Sequence, residues 1–316
     1  MFLSRVQVFI ITMTLFVFLP VLILSGLFFL GKDSFFGAIH LIIVSGNLIF
    51  LLFKAGPWEF TWFYLRHIIF LAYLAVSVLT IIFNVNAPFV LNYGEYIIFA
   101  AMVVALFLNI NAVRALKRPA KCLNLELPFK NGRYLVTDGG DGSISSLVNY
   151  HNKAQVHKKG NSNSSMRFAA DIVKLDKKGF TVSSPLTSKN ESYAIYNQKV
   201  YSPCDAVVVE VVDGIENNIP FSRNFPYNVG NHVVLKKDNN YIVMGHLNKN
   251  TITVREGDTV STHQLLGLIG NSGLTPRPHL HMQVSEAQDS LFWTGRGVPI
   301  SFNNLPYPVK NTLLKV

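Results

Sequence analysis

The sequence has 316 residues, of which 50% are hydrophobic and 15% are charged. Soluble domains average about 25% charged residues, so the composition excludes a chain that is soluble along its whole length. The net charge is +10, and residues from 114 onward carry nearly all of it. This excess favours an anionic partner such as a charged polymer or lipid head groups. The sequence has no arginine-rich run or nucleic-acid-binding motif, so we expect no nucleic-acid partner.

Four apolar stretches in the first third of the chain are long enough to cross a bilayer, which takes roughly 20 residues per helix. The first is too long for a cleaved signal peptide, and we expect it to remain as an anchor. We therefore predict an α-helical transmembrane domain of about four spans over residues 1–113, with the lipid membrane as its partner. The stretches run near residues 8–30, 36–53, 68–85 and 89–113.

A basic cluster follows the fourth stretch and opens a linker that we predict over residues 114–126. Positive charge next to a span indicates a cytoplasmic flank, which Arg5 would share if the spans are four. The cluster consists of Arg114, Lys117, Arg118 and Lys121.

Short apolar runs separated by Gly, Asn, Asp and Pro begin at residue 127, a pattern typical of a mainly β domain. We predict this domain over residues 127–316, with polar surface loops near residues 152–165 and 183–192. The predicted strands cover residues 134–136, 207–212, 231–235, 241–244, 251–254, 265–269 and 280–284.

The two cysteines, Cys122 and Cys204, lie far apart and lack the spacing of a paired-cysteine metal site. Two buried free thiols are the simplest interpretation. A disulfide in an oxidising compartment is the alternative, because the sequence does not fix the distance between them.

The triplet His279-Leu280-His281 is the main chemical motif. On a strand, side chains two residues apart point to the same face, so both imidazoles can enter one groove. Paired imidazoles suit a metal ion. Such a triplet on its own is a weak signal, because it occurs by chance and two exposed histidines are the usual explanation.

An ordered series of motifs surrounds the triplet and raises its significance. Residues 244–247 read Met-Gly-His-Leu, residues 254–260 and 267–273 hold turns with glycine, and residues 202–208 read Ser-Pro-Cys-Asp-Ala-Val-Val. This series resembles the lysostaphin-type zinc metallopeptidases, which cut peptide crosslinks in bacterial cell walls. The resemblance covers about residues 127–286. It implies antiparallel sheets of the barrel-sandwich hybrid type.

The resemblance also implies a role for four residues. In that family the second histidine of the triplet binds zinc and the first acts near the scissile bond, which assigns His281 to the metal and His279 to catalysis. His246, in the Gly-His-Leu segment, corresponds to a second catalytic histidine. Asp171 lies in a segment, residues 167–173, that matches the one carrying the metal-binding aspartate.

The third zinc ligand is the main departure from the family pattern. The family commonly has a histidine four positions before the aspartate, where this chain has Arg167. A catalytic zinc ion ordinarily has three protein ligands and a water. We predict His151 as the third ligand, because its Asn-Tyr-His-Asn setting resembles the Asn-His-His stretch of one branch of the family. His157 and a degenerate site are the alternatives, whereas His232 and His263 are expected at the surface.

These features predict a multi-pass inner-membrane zinc metalloendopeptidase that hydrolyses peptide bonds, with peptidoglycan crosslinks as its substrate. The chain lacks a His-Glu-x-x-His helix motif, so we expect His246 and His279 to transfer the protons during hydrolysis. A cell-wall substrate places the β domain outside the cytoplasm, although the basic cluster indicates the opposite side.

Two alternatives to the enzyme stay open at this stage. One is a catalytically degenerate module that binds or regulates wall hydrolases, which Arg167 favours. The other is a transporter or receptor in which the helices are the functional part. The scarcity of charge within the apolar stretches, where Glu95 alone qualifies, argues against an ion pathway.

Overall fold

The computed structural model describes residues 3–30, 34–88, 94–153, 164–222, 229–287 and 293–316. The chain divides into two compact units: Val8–Arg114 forms one, and Ala115–Val316 with Met1–Gln7 forms the other. The helices are α1 (Arg5–Met13), α2 (Leu19–Leu30), α3 (Phe35–Ala55), α4 (Leu65–Asn84) and α5 (Gly94–Leu116).

Four helical stretches of the described residues are long and apolar enough to cross a membrane, and they lie at the four predicted places. A π-helical turn, Thr14–Phe18, joins α1 and α2 and ends two residues before Pro20. Proline lacks the N–H that would continue the α-helical pattern, and π-turns of this kind commonly relieve that interruption. The predicted fourth stretch begins at residues 89–93, which lie outside the described residues.

Several polar side chains lie buried in the helical unit among apolar ones such as Phe16 and Ile49, and many other apolar side chains face outward. The Tyr73 hydroxyl donates a hydrogen bond to the Ile42 carbonyl of α3 at 2.5 Å, and the Thr80 hydroxyl donates to the Leu27 carbonyl of α2 at 3.1 Å. Bonds of this kind hold helices together where the surroundings are as apolar as the side chains. The outward-facing apolar side chains include Phe18, Leu22, Leu71, Phe83 and Phe107.

The second unit is built around a nine-stranded antiparallel sheet with the order β13-β2-β3-β10-β7-β6-β5-β8, in which β11 also pairs with β10. Two smaller sheets pair β1 with β12 and β4 with β9. The strands are β1 (Leu123–Leu125), β2 (Arg133–Asp138), β3 (Ala170–Leu175), β4 (Lys199–Tyr201), β5 (Ala206–Val212), β6 (Asn231–Lys237), β7 (Asn240–Leu247), β8 (Thr259–Val260), β9 (Leu265–Leu268), β10 (Leu280–Glu286), β11 (Arg296–Gly297), β12 (Ile300–Phe302) and β13 (Leu313–Lys315).

The two faces of the large sheet have different surroundings. In β7, Ile242 and Met244 enter the main hydrophobic core, whereas Val243 between them belongs to a second cluster. In β10 every second residue from Leu280 to Val284 enters the main core. Because side chains alternate along a strand, the odd-numbered residues of β10 lie on the face opposite the main core.

The mainly β architecture is confirmed, with β2, β5, β6, β7, β9 and β10 at predicted positions. The strand predicted at residues 251–254 is wrong. There Thr253 makes one backbone bond, to Leu266, and its hydroxyl bonds to the Leu265 carbonyl, so no regular ladder forms. No strand was predicted at the position of β3. Cys122 and Cys204 are both free thiols, so the disulfide alternative does not hold in this structure.

The predicted loop near residues 152–165 is described at its two ends. Short 3-10 turns occupy His151–Lys153 and Ser164–Met166, and residues 154–163 between them lie outside the described residues. The predicted loop near residues 183–192 contains no α-helix or strand, and a 3-10 turn occupies Asn190–Ser192.

Candidate metal and catalytic site

Strand β10 brings the histidine triplet between two partner strands. His281, and His279 directly before the strand, lie on the face opposite the main core. In the antiparallel register, His281 is opposite Asp171 of β3 on one side and Gly245 of β7 on the other. His246 follows Gly245, so the sheet itself places the second predicted catalytic histidine beside the triplet.

The Asp171 carboxylate lies at the centre of three imidazoles. His281 Nδ1 is 3.0 Å and His151 Nε2 is 3.2 Å from Asp171 Oδ1, and His279 Nε2 is 3.2 Å from Asp171 Oδ2. The Asp171 side chain is 14% exposed. We refer to these four residues as the Asp171 cluster. His246 lies next to it, with its ring centre 4.7 Å from that of His279.

His151 reaches the cluster from a turn that is held by polar side chains. Arg167 pairs with Asp141 through two hydrogen bonds, Nε to Oδ1 at 2.8 Å and Nη2 to Oδ2 at 2.6 Å. The Asn149 amide nitrogen donates to the carbonyls of Gly140 and Arg167 at 2.9 and 3.3 Å. Arg167, at the family's usual ligand position, therefore anchors the loop that carries His151.

His246 has a strained backbone and a fixed ring. Its φ of 63° is left-handed, a conformation that residues other than glycine rarely adopt and that is often found at functional sites. Its Nδ1 lies 2.8 Å from the Ser272 carbonyl, to which it can only donate. Gly230 packs directly on Ser272, since a Cβ at this position would lie 2.2 Å from the Ser272 carbonyl oxygen. The remaining nitrogen of His246, Nε2, therefore carries the lone pair when the ring is neutral.

His279 is oriented by the turn that precedes β10. Its Nδ1 lies 2.9 Å from the Arg277 carbonyl, and the Thr275 hydroxyl donates to the same carbonyl at 2.7 Å. The Asn218 amide nitrogen donates to the Thr275 carbonyl at 3.3 Å. The turn thus fixes which nitrogen of His279 faces Asp171.

Burial and charge act in opposite directions on the groups of the site. Burial opposes ionisation of Asp171, but attraction to His151 and His279 outweighs it, and the pKa of Asp171 lies well below its usual range. Burial also opposes protonation of His151, yet Asp171 raises its pKa above the usual value. Burial, followed by the nearby His279 and His281 rings, lowers the pKa of His246 well below the usual value. His246 is therefore a neutral imidazole at neutral pH.

Three side chains of the Asp171 cluster fit a divalent metal ion. The possible ligand atoms of His151, Asp171 and His281 all lie within 4.8 Å of one another. Tetrahedral ligands at zinc distances are separated by about 3.3–3.6 Å, close to the 3.0 and 3.2 Å between the two imidazoles and Asp171 Oδ1. Two imidazoles and one carboxylate are a donor set found in catalytic zinc sites.

The remaining histidines of the β unit lie elsewhere. His157 lies outside the described residues. His263 is exposed, as predicted. The prediction of a surface position for His232 is wrong: its side chain is buried, with Nε2 at 2.7 Å from Glu210 Oε1 and its ring against Trp293. Its burial depends on a carboxylate from the neighbouring strand β5, which sequence position alone does not reveal.

Polar residues that support the cluster were not predicted from the sequence. Gln283 and Asn149 accept hydrogen bonds from cluster histidines, and Ser165 contacts Gln283. The strand period is a signal for Gln283, which lies two residues beyond His281 on the same face. No comparable signal exists for Ser165, which is distant in sequence.

Residues 191–292 match the family described as Peptidase family M23. The chain is 38% identical over 85 residues to the peptidoglycan DD-endopeptidase ShyA of Vibrio cholerae serotype O1, which covers 27% of this chain and 17% of that protein. It is 31% identical over 102 residues to an uncharacterized metalloprotease of Buchnera aphidicola, which covers 32% of this chain and 25% of that protein. The chain therefore spans a quarter or less of the length of these relatives.

A zinc-containing peptidase from Vibrio cholerae is similar in structure, with 20% identity and a TM-score of 0.33 over 56% of this chain and 39% of that one. The matched family segment contains His246, His279 and His281. His151 and Asp171 lie before it in the sequence, and the fold brings them to the same place.

Proposed function

The chain contains a peptidase M23 domain, whose family match covers residues 191–292, and from this premise we propose that the chain is a membrane-anchored zinc metalloendopeptidase that hydrolyses peptide crosslinks of peptidoglycan. One observation carries the proposal: imidazole nitrogens of His151, His279 and His281 converge on the Asp171 carboxylate at 3.0–3.2 Å. A largely buried cluster of this kind is more typical of a hydrolytic site than of a surface that only binds a partner.

His151, Asp171 and His281 are the proposed zinc ligands. Zinc bound there supplies Lewis-acid polarisation of a carbonyl and ionises water near neutral pH. His246 is the proposed general base, because its low pKa keeps it neutral and its bond to Ser272 leaves Nε2 free to accept a proton. His279 is the proposed second catalytic histidine: the Arg277 carbonyl holds its ring, whose centre lies 4.7 Å from that of His246.

Peptidoglycan is the proposed substrate because ShyA, a peptidoglycan DD-endopeptidase, is 38% identical over 85 residues. The net positive charge of the chain suits an anionic wall polymer. The degenerate binding module is less favoured, since Arg167 no longer argues for a missing ligand: it pairs with Asp141, and His151 lies beside Asp171.

The proposed division is a transmembrane domain over residues 1–113, a basic linker over 114–126 and a peptidase domain of barrel-sandwich hybrid type over 127–316. Four long apolar helices with outward-facing apolar side chains support the membrane anchor. Because crosslinked wall lies outside the cytoplasmic membrane, we place the peptidase domain on that outer side.

Sidedness is tested with two reporters fused after Val316, one active only outside the cytoplasm and one active only inside. The proposal expects activity of the first reporter alone. Activity of the second alone would rule out a wall substrate, and a cytosolic or membrane-protein substrate would then be sought.

The activity is tested by incubating purified full-length protein in detergent with purified crosslinked peptidoglycan and analysing the fragments by mass spectrometry. We expect cleavage of crosslinking peptides by the wild type and none by His279→Ala. Binding of peptidoglycan without cleavage by the wild type would instead support the binding module.

A further inference from the structure

Two buried side-chain amides each accept a hydrogen bond from a proposed metal ligand. Asn149 Oδ1 lies 2.8 Å from His151 Nδ1, and Gln283 Oε1 lies 3.1 Å from His281 Nε2. Both amide side chains have no exposed surface. Because an amide oxygen only accepts hydrogen bonds, each facing ring nitrogen carries the hydrogen.

Backbone groups fix the orientation of the Asn149 amide. Its nitrogen lies within 3.3 Å of the carbonyls of Gly140, Arg167 and Ala169, which only accept hydrogen bonds. Its oxygen lies 3.1 Å from the backbone N–H of His151, which only donates. A reversed amide would set like groups against each other at all four contacts, so Oδ1 must face the His151 ring.

A short chain of hydrogen bonds fixes the orientation of the Gln283 amide. The Ser165 hydroxyl donates to the Trp293 carbonyl at 2.9 Å. The Ser165 oxygen then accepts from the Gln283 amide nitrogen at 3.4 Å. The Gln283 oxygen is left facing His281 Nε2, which must donate to it.

The consequence lies at the other nitrogen of each ring. In a neutral imidazole one nitrogen carries the hydrogen and the other a lone pair. The lone pairs are therefore on His151 Nε2 and His281 Nδ1, the two atoms 3.2 and 3.0 Å from Asp171 Oδ1. Two lone pairs and a carboxylate facing one another form a site that a cation completes.

We propose that Asn149 and Gln283 are positioning residues that set the tautomers of His151 and His281, so that in each neutral ring the lone pair faces the metal position. This inference rests on the proposed zinc site. It adds that the chain selects the binding form of each ligand in advance, with Ser165 holding the second amide. Outer hydrogen bonds of this kind commonly contribute about 10–100-fold to metal affinity.

Two substitutions of Gln283 separate positioning from packing. Gln283→Met keeps the length of the side chain but removes the acceptor, and Gln283→Glu keeps an acceptor oxygen. Met282→Leu, on the opposite face of β10, is the control for any change in this strand. Zn²⁺ affinity of each full-length protein in detergent is measured by competition with a chromophoric chelator.

We expect Gln283→Met to weaken Zn²⁺ binding by about 10–100-fold, whereas Gln283→Glu and Met282→Leu bind within a few-fold of the wild type. Equal affinity of Gln283→Met and wild type would overturn the inference and leave the proposed function standing. Equal losses in Gln283→Met and Gln283→Glu would overturn it too, because packing would then explain both.

The tautomers are read directly in metal-free wild type, labelled with ¹⁵N-histidine, from long-range proton–nitrogen NMR correlations as the pH is raised until both rings are neutral. We expect hydrogen on Nδ1 of His151 and on Nε2 of His281. The opposite tautomer at His281 would overturn the inference. If the wild type binds no Zn²⁺, the proposed function is wrong. The measured tautomers would then still show whether the two amides act as inferred.

Discussion

The two halves of the candidate site are built in different ways. His246, His279 and His281 lie on or directly beside the adjacent strands β7 and β10, within the segment that matches the peptidase family. His151 lies on a 3-10 turn before that segment, and polar side chains hold its loop. We call these the strand half and the loop half, and Asp171 of β3 lies between them.

If His151 is the third ligand, as proposed, the difference explains how a metal ligand can change its place in the sequence while the fold stays the same. The strand half depends on register, because a shift of one residue would turn His281 to the other face of the sheet. The loop half depends only on bringing a nitrogen to Asp171 Oδ1. A histidine on another segment meets that requirement, and Arg167 is then free to pair with Asp141.

The largest effect is expected at His281, the proposed zinc ligand of the strand half. His281→Ala removes one of three proposed ligands, so Zn²⁺ binding and hydrolysis should both be lost, a larger effect than the roughly 100-fold that an outer hydrogen bond contributes. Zinc content and peptidoglycan cleavage measure it. His263→Ala, at an exposed histidine of the same unit, is the control and should match the wild type. Full activity of His281→Ala would show that His281 is not a zinc ligand.

The next effect separates catalysis from metal binding within the strand half. His246→Ala should retain one zinc per chain, because His246 is not a proposed ligand. Hydrolysis should fall by about 10²–10⁴-fold, the usual contribution of a general acid or base. Zinc content and the rate of hydrolysis are measured on the same sample. Loss of zinc together with activity would show that His246 is a ligand.

Substitutions of two histidines test the loop half, because the sequence offers both as candidates for the third zinc ligand. His151→Ala should weaken Zn²⁺ binding by more than about 100-fold, since a ligand counts for more than its outer hydrogen bond. His157→Ala is the matched control and should bind Zn²⁺ like the wild type. Competition with a chelator measures both. The reverse result would assign the third ligand to His157.

The smallest effect concerns the anchor of the loop half. Burial raises the pKa of Asp141, but its bonds to Arg167 and Ser143 outweigh burial and lower that pKa overall. Ionised Asp141 therefore stabilises the fold above its unfolded pKa, and this contribution is lost as the pH falls through the lower folded pKa. Asp141→Asn should cost about 1–3 kcal/mol at neutral pH, or roughly 2–10 °C in Tm.

Thermal unfolding of the full-length protein in detergent measures this difference at several pH values. The gap in Tm between wild type and Asp141→Asn should begin to narrow below about pH 4, where the carboxyl of the unfolded chain becomes protonated, and close as the pH falls through the lower folded pKa. Ser143→Ala, which removes one hydrogen bond to the same carboxylate, should show a smaller gap. A gap that is constant with pH would mean that the charge of Asp141 contributes nothing to stability.

Local patterns predicted much of the strand half and of the helices. A period of two along β10 placed His279 and His281 on one face, and the lengths of the apolar stretches indicated the four helices. The site assignments of Asp171 and His151 came only from the family resemblance. No local pattern indicates that residues so far apart from β10 in sequence meet it in the fold.

Features that depend on distant partners were predicted less well. The apolar run at residues 251–254 suggested a strand, but its backbone has one bond to Leu266 and no ladder. His232 appeared to be a surface residue, yet Glu210 and the Gly230 carbonyl satisfy both ring nitrogens in the interior. Ser165 meets Gln283 only through the tertiary fold.

The central claim is that zinc bound by both halves of the site drives hydrolysis, and restoration of activity by zinc tests it most directly. Full-length protein is stripped with a chelator, and cleavage of crosslinked peptidoglycan is followed as Zn²⁺ is added back. We predict no cleavage by the stripped protein and full recovery at one Zn²⁺ per chain. Cleavage that persists after stripping, or a wild type that neither binds Zn²⁺ nor cleaves, would contradict the account.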